Sequence, residues 1–122
     1  MLKYELSEME ERFAYVLWER VPISSKDLTE LAHDIFSWKR TTMYTMLRKL
    51  IDKELFENNN GMVDAIVTLG EYESRKTTDF LNDSFEGSLP KFITAFTRQN
   101  NLSENEIEEI LEIINNHMED GQ

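Results

Sequence analysis

The sequence has 122 residues and no cysteine, which excludes disulfide bonds and thiolate metal sites. Only four glycines and two prolines occur, so long irregular loops are not expected and the chain should be mostly helical. The longest uninterrupted apolar run, from Phe13 to Trp18, is far too short for a membrane span, and the N-terminus lacks the apolar segment of a signal peptide. We therefore expect a cytoplasmic protein without membrane contact.

Basic side chains are also scarce. Thirteen lysines and arginines stand against 24 aspartates and glutamates, which gives a net charge of −11. Because phosphate binding needs positive charge at the contact surface, such a composition does not by itself indicate a nucleic-acid partner. The cations are concentrated, however: residues 39–53 hold five basic and one acidic side chain, whereas residues 99–122 hold seven acidic and no basic ones. The chain thus has one distinctly positive segment.

Helix signals dominate the first half of the chain. Ser7 and Glu10 form a capping box that opens a first helix, and Ser24 is a good N-cap for a second. Between these helices, Val21-Pro22-Ile23 ends the first one and is compatible with a short strand. A third helix is expected from about Trp38 to Lys53. Its apolar inner face consists of Met43, Leu47, Leu50 and Ile51.

A hairpin follows, and then the helical pattern returns. Asn60-Gly61 between two short apolar stretches is a strong hairpin signal. The second strand is expected over Met62 to Leu69, with Gly70 closing it. Beyond that point apolar periodicity predicts three more helices, and the capping box Ser103-x-x-Glu106 opens the last of them.

The order helix, short strand, helix, turn, helix, hairpin is that of a winged helix-turn-helix, whose third helix enters the major groove of DNA. We therefore expect a mostly α fold with a small β-hairpin wing. The predicted domains are a winged-helix DNA-binding domain over residues 1–70 and a C-terminal helical dimerisation domain over residues 71–122.

The outer face of the third helix is rich in threonine and in cations. Hydroxyl, phenol and guanidinium groups are those that contact phosphates and base edges. The alternative is the ordinary solvated face of a core helix, but a basic, threonine-rich face in an acidic chain favours DNA contact. The predicted DNA-contacting residues are Lys39, Arg40, Thr41, Thr42, Tyr44, Thr45, Arg48 and Lys49.

The last third of the chain has more large apolar side chains than three short helices can bury among themselves. Such a surface usually marks an interface, and a two-fold partner offering the same helices would cover it. The alternative is a monomer whose C-terminal arm folds back on its own wing. The predicted dimerisation residues are Phe92, Ile93, Phe96, Ile107, Ile110, Leu111 and Ile114.

The sequence contains no recognisable catalytic or metal-binding constellation. His33 and His117 are the only histidines and lie far apart, and the glutamates of the last helix lack the glycine and the spacing of a calcium loop. Neither a Ser-His-Asp set nor a glycine-rich phosphate loop is visible. We therefore expect no enzymatic activity, no cofactor and no metal.

A set of ordered motifs runs along nearly the whole chain. It includes Leu6-Ser7-x-x-Glu10, Leu17-Trp18, Thr42-Met43-x-Thr45-x-Leu47-x-Lys49-Leu50-x-x-Lys53 and Leu102-Ser103-x-x-Glu106-Ile107. These motifs resemble the penicillinase-repressor family, which includes the methicillin-resistance and copper-transport repressors. The chain departs from the family pattern at two positions of the third motif, where Met43 replaces Val and Lys49 replaces Arg, and at the position directly after it, where Glu54 replaces Gly.

The resemblance implies a homodimer, held by its C-terminal helices, that represses transcription from an inverted-repeat operator in double-stranded DNA with TACA and TGTA half-site cores. In the antibiotic-resistance branch a membrane sensor triggers proteolysis at an Asn-Phe bond, but the matching position here is Ala95-Phe96. In the copper branch a cysteine-rich tail binds metal, and this chain has no cysteine. The chain therefore matches neither trigger of the family, and its inducing signal and any sensor or protease partner stay open. The alternative function, which the net charge favours, is a winged-helix protein-interaction module that does not bind DNA.

Overall fold

The computed structural model describes residues 5–120, and helices dominate this part of the chain. The elements are, in order, α1 (Glu8–Arg20), β1 (Ile23–Ser24), α2 (Ser25–Phe36), α3 (Arg40–Asp52), β2 (Phe56–Asn59), β3 (Met62–Ala65), α4 (Leu69–Phe85), α5 (Leu89–Thr97) and α6 (Glu104–Asp120). The strands form one antiparallel sheet in the order β1-β3-β2. The predicted mostly α fold with a small β wing is confirmed.

The chain divides into two compact units, an N-terminal unit (Met1–Thr78) and a C-terminal unit (Asp79–Gln122). Within the described residues, no helix of either unit combines the length and the apolar character that a membrane crossing requires.

The starts of α1 and α2 are set by the side-chain caps that the sequence predicts. The Ser7 hydroxyl accepts from the Glu10 amide at 3.2 Å, and the Glu10 carboxylate accepts from the Ser7 amide at 2.8 Å. At the start of α2, the Ser24 hydroxyl accepts from the Asp27 amide at 3.0 Å. Each bond satisfies an N–H group that the helix itself leaves unpaired. Both helices therefore begin where the sequence places them.

The core of the N-terminal unit joins α1, α2, α3 and the wing. Its fully buried side chains include Phe13, Ala14 and Leu17 from α1, Leu28 and Ala32 from α2, Met43, Leu47 and Leu50 from α3, and Leu55, Phe56 and Val63 from the hairpin. Each large apolar side chain buried in this way contributes roughly 1.5–3 kcal/mol to stability. The Phe13 ring meets the Trp38 ring edge-on at 5.1 Å between centroids, which ties the turn before α3 to α1.

The wing is a hairpin closed by Asn60-Gly61, as predicted. The φ angles of these two residues are 53° and 90°, and positive values at both central positions are what a type I′ turn requires. The Asn58 carboxamide accepts from the Gly61 amide at 2.9 Å. The Gly61 carbonyl in turn accepts from the Ser25 amide at 2.8 Å. The tip of the wing is therefore fixed to the start of α2.

The chain after the wing differs from the prediction. Strand β3 ends at Ala65 instead of Leu69, and Gly70 lies in the first turn of α4. The reason is a reciprocal cap. The Thr68 hydroxyl accepts from the Glu71 amide and the Glu71 carboxylate accepts from the Thr68 amide, both at 3.1 Å. This Thr-x-x-Glu box is visible in the sequence and starts a helix where a strand was expected.

The unit boundary also falls later than the predicted one at Gly70. Tyr72, in α4, is only 2% exposed, and its hydroxyl donates to the Glu11 carboxylate of α1. Lys76, one turn further along α4, donates to the same carboxylate at 2.7 Å. The first part of α4 therefore packs with the N-terminal unit, which extends to Thr78. A boundary at Gly70 would separate a core side chain from its own core.

Glu54 supplies a stability test. Its φ of 61° lies in the left-handed region, which favours the glycine of the family pattern. Glu54→Gly and Glu54→Ala both remove the carboxylate, but only glycine removes the steric conflict of the Cβ atom. We predict that the Gly variant is about 1 kcal/mol more stable than the Ala variant in urea unfolding. Equal stability of the two variants would show that the backbone here is not strained.

Candidate nucleic-acid interface

One face of α3 lies outside the core. Of the eight residues predicted to contact DNA, Tyr44 is half-buried and the others are exposed. The exposed ones are Lys39, Arg40, Thr41, Thr42, Thr45, Arg48 and Lys49. The structure thus brings all eight together on one helix and its N-cap. Because Met43, Leu47 and Leu50 anchor the opposite side in the core, this face has a fixed orientation.

The start of α3 is electropositive. Lys39 is the N-cap residue, and no side chain among the described residues caps the helix there. The first turn has no acidic residue, and Arg40 opens it. The amides of this turn and the positive end of the helix dipole are therefore available to an anion. Helix N-termini bind phosphate groups in this way.

The middle of α3 offers groups suited to base edges. The Thr45 hydroxyl donates to the Thr41 carbonyl at 2.9 Å, so its oxygen is left as an acceptor. Such an acceptor suits the amino groups of adenine and cytosine, and a threonine methyl group suits the methyl group of thymine. Arg48, also exposed, can donate to guanine or to a phosphate. The exposed face of α3 therefore carries acceptor, apolar and donor groups side by side.

A groove between α2 and α3 adds residues that the sequence reasoning missed. It is lined by Ser25, Lys26, Thr29, Glu30, Arg40 and Tyr44. The Arg40 guanidinium lies 5.5 Å from the centre of the Tyr44 ring. The Ser25 hydroxyl, with a smaller contribution from Arg40, lowers the pKa of the Tyr44 phenol. Lys26 is the additional cation of this groove. The sequence feature that could have indicated Lys26 is its position in the first turn of α2, directly after the Ser24 cap.

The wing adds no positive charge. Residues 56–65 contain neither lysine nor arginine, whereas Glu57 and Asp64 are acidic. Asn58 lines a shallow pocket beside Arg48, so an amide borders the exposed face of α3 on this side. The wing is therefore suited to hydrogen bonding with DNA and not to an electrostatic clamp on the phosphates.

Lys53, the last cation of the positive segment, is bound within the protein. Its ammonium group donates to the Glu10 carboxylate and to the Glu5 carbonyl, both at 2.8 Å. Burial opposes the ionisation of Glu10, yet hydrogen bonds from Lys53 and Ser7 outweigh it and lower the pKa of the carboxyl. Lys53 therefore holds the end of α3 against α1 and is not part of the exposed face.

The predicted dimerisation residues lie in α5 and α6, where the structure describes no buried residue. Ile93, Phe96, Ile107, Leu111 and Ile114 are exposed, and Phe92 and Ile110 are half-buried. The Phe92 ring packs edge-on against Phe80 and Phe85, at 6.0 and 5.5 Å between centroids. The C-terminal unit thus has a small aromatic centre and an extensive apolar surface.

A helix-turn-helix with a cationic, threonine-rich third helix and a following hairpin defines a winged-helix DNA-binding protein. Residues 6–116 match the penicillinase repressor family. The chain is 26% identical over 117 residues to the penicillinase repressor of Bacillus licheniformis, which covers 93% of this chain and 91% of that protein. It is 23% identical over 116 residues to the methicillin resistance regulatory protein MecI of Staphylococcus aureus strain Mu50, which covers 92% and 94%. The chain belongs to the penicillinase-repressor family and is a DNA-binding transcriptional repressor.

The threonines of α3 provide a test of base recognition. We predict that Thr42→Ala with Thr45→Ala lowers discrimination between operator and unrelated DNA by about tenfold or more, because contacts to base edges are lost. Fluorescence anisotropy with the two duplexes measures this ratio. The matched control is Thr77→Ala with Thr78→Ala on α4, whose hydroxyls donate to their own helix as Thr45 does. Unchanged discrimination in the α3 variant would remove these threonines from the interface.

Lys49 tests the electrostatic part of the same face. We predict that Lys49→Ala weakens binding to operator and unrelated DNA by a similar factor, since a phosphate contact has no sequence preference. The slope of log affinity against log salt concentration should fall by about one unit for each bound copy of the protein. An effect confined to the operator would assign Lys49 to base reading instead.

Proposed function

We propose that the protein acts as a homodimer that occupies an inverted-repeat operator in double-stranded DNA and so represses the adjacent genes. Each copy places α3 in the major groove of one half-site. The observation that carries this proposal is the exposed face of α3, with threonine hydroxyls, Arg48 and an uncapped helix start on a firmly packed helix. With a net charge of −11, the rest of the chain repels DNA and disfavours other docking orientations.

Helix α6 supports the homodimer. At helical spacing, all of its large apolar side chains except Ile113 fall on one side and most of its glutamates on the other. The apolar stripe consists of Ile107, Ile110, Leu111, Ile114 and Met118. Leu111 and Ile114 are 53% and 45% exposed in the single chain. A second copy offers the same stripe, so a two-fold arrangement covers both at once.

Half-sites with TACA and TGTA cores, which the family resemblance implies, are the first operators to test. Induction by cleavage at Ala95-Phe96 is not part of the proposal. The bond lies inside α5, and Ala95 is half-buried. Proteases prefer exposed, irregular segments, so this helix would have to unwind before cleavage.

Salt dependence tests how the operator is bound. A dimer that contacts roughly six to ten phosphates should lose about a thousandfold or more in affinity between about 50 and 200 mM salt. Titrations of a labelled operator at several salt concentrations measure the slope. Absence of binding to any duplex at low salt would favour the alternative, a protein-interaction module.

Two neighbouring isoleucines in α6 test the dimer. Ile114→Asp places a charge in the proposed interface and should raise the dimer dissociation constant by about a hundredfold or more. Ile113→Asp is the matched control, because Ile113 is 67% exposed and lies outside the stripe. Sedimentation equilibrium measures both constants, and Ile114→Asp should also lose affinity for the full operator. A wild-type protein that sediments as a monomer at micromolar concentration would overturn the dimer.

A further inference from the structure

Glu11 of α1 is the point at which α4 is attached to the N-terminal unit. The Tyr72 hydroxyl and the Lys76 ammonium both donate to the same carboxylate oxygen of Glu11. The hydrogen bond from Lys76, and after it that from Tyr72, lowers the pKa of the Glu11 carboxyl. One carboxylate therefore holds two successive turns of α4.

The ring of Tyr72 is fixed as firmly as its hydroxyl. It lies 5.0 Å from the Trp18 ring and 6.3 Å from the Tyr15 ring, measured between centroids. The Trp18 indole nitrogen donates to the Val67 carbonyl at 2.8 Å, which also fixes the segment that leads into α4. The start of α4 is thus set by α1 through both polar and aromatic contacts.

The neighbouring residue of α1 does the same for the end of α3. The Glu10 carboxylate forms a hydrogen-bonded ion pair with the Lys53 ammonium group, with 2.8 Å between nitrogen and oxygen. Two consecutive residues of α1 therefore hold the helix that faces DNA and the helix that leads out of the N-terminal unit. Helix α4 itself continues beyond Thr78 to Phe85.

We propose that Glu11 is a positioning residue for operator binding, which fixes the start of α4 relative to α3 and so sets the half-site spacing that the repressor accepts. This inference depends on the proposed function, a homodimer on an inverted repeat. The affinity of the second half-site depends on the effective concentration that the connection provides. If the start of α4 is fixed, the effective concentration of the second copy's α3 is high at a half-site of one particular spacing. If the start of α4 is loosened, that concentration is divided among half-sites of several spacings.

The two contacts to Glu11 are not of equal weight. The Lys76 side chain is 55% exposed, and exposed ion pairs contribute little because solvent screens them. The Tyr72 hydroxyl belongs to a buried residue and bonds to an ionised group, so solvent screens this contact less and its loss should cost more. Tyr72→Phe removes this bond and keeps the ring packing, so it is the mildest informative variant.

The experiment compares wild type, Glu11→Gln and Tyr72→Phe, with Tyr15→Phe as matched control. Tyr15→Phe removes a hydroxyl from a ring that contacts the same Tyr72 ring. The probes are the inverted repeat that the wild-type protein selects from randomised duplex DNA, the same repeat with its spacer changed by one and two base pairs, and a single half-site. Circular dichroism melting confirms that each variant is folded at the assay temperature.

We expect every variant to bind the single half-site within about twofold of wild type, because α3 is untouched. The preference for the best spacer should fall from about tenfold or more in wild type to about threefold or less in Glu11→Gln and Tyr72→Phe, and stay unchanged in Tyr15→Phe. Retention of the wild-type spacer preference in both variants, or an equal loss of affinity on all probes, would overturn the positioning role. If the wild-type protein binds the repeat no better than the half-site, the proposed function itself fails, and this inference fails with it.

Discussion

The packing of the apolar side of α3 against α1 is the constraint on which the rest of the N-terminal unit depends. Met43, Leu47 and Leu50 are buried, and in a helix this leaves the opposite side exposed at a defined angle. The turn before α3, the wing and α2 all pack around the same core. The polar face of α3 is therefore a consequence of how the core is filled, and its orientation is as rigid as the core itself.

The distribution of charge follows from the same arrangement. Of the five cations in residues 39–53, Lys53 is used inside the fold, and the others remain on or beside the exposed face of α3. Asp52 is the one acidic residue of this segment, and it lies at the far end of the helix from the electropositive start. The wing is neutral to acidic. In the proposed function, recognition of DNA therefore depends on a short stretch of α3 together with the groove beside α2.

Local signals in the sequence were sufficient for most of the fold. The Ser7–Glu10 box, the Ser24 cap and Asn60-Gly61 each specify a bond or a φ angle within four residues, and the structure has all three. The expected end of the second wing strand at Leu69 was wrong, because the reciprocal Thr68–Glu71 cap starts α4 at Leu69 and the strand ends at Ala65.

Contacts between distant segments could not be read from the sequence. Lys53 and Glu10 are 43 residues apart, and Tyr72 and Glu11 are 61 apart. No periodicity marks such pairs, because they form only when separate helices meet. The polar face of α3 follows from the spacing of residues along a single helix, so the sequence was sufficient to predict it. The side of the groove that Ser25 and Lys26 form depends on how α2 packs beside α3, so the sequence alone could not predict it.

The absence of any buried side chain in the described parts of α5 and α6 has a consequence for the cell. In the proposed dimer the apolar surfaces of these helices are buried only when two copies meet, so the stability of this region is coupled to association. At low abundance the number of dimers grows with the square of the number of chains. Gene control by such a protein responds steeply to its own rate of synthesis and to its dilution as the cell grows, before any inducer is present.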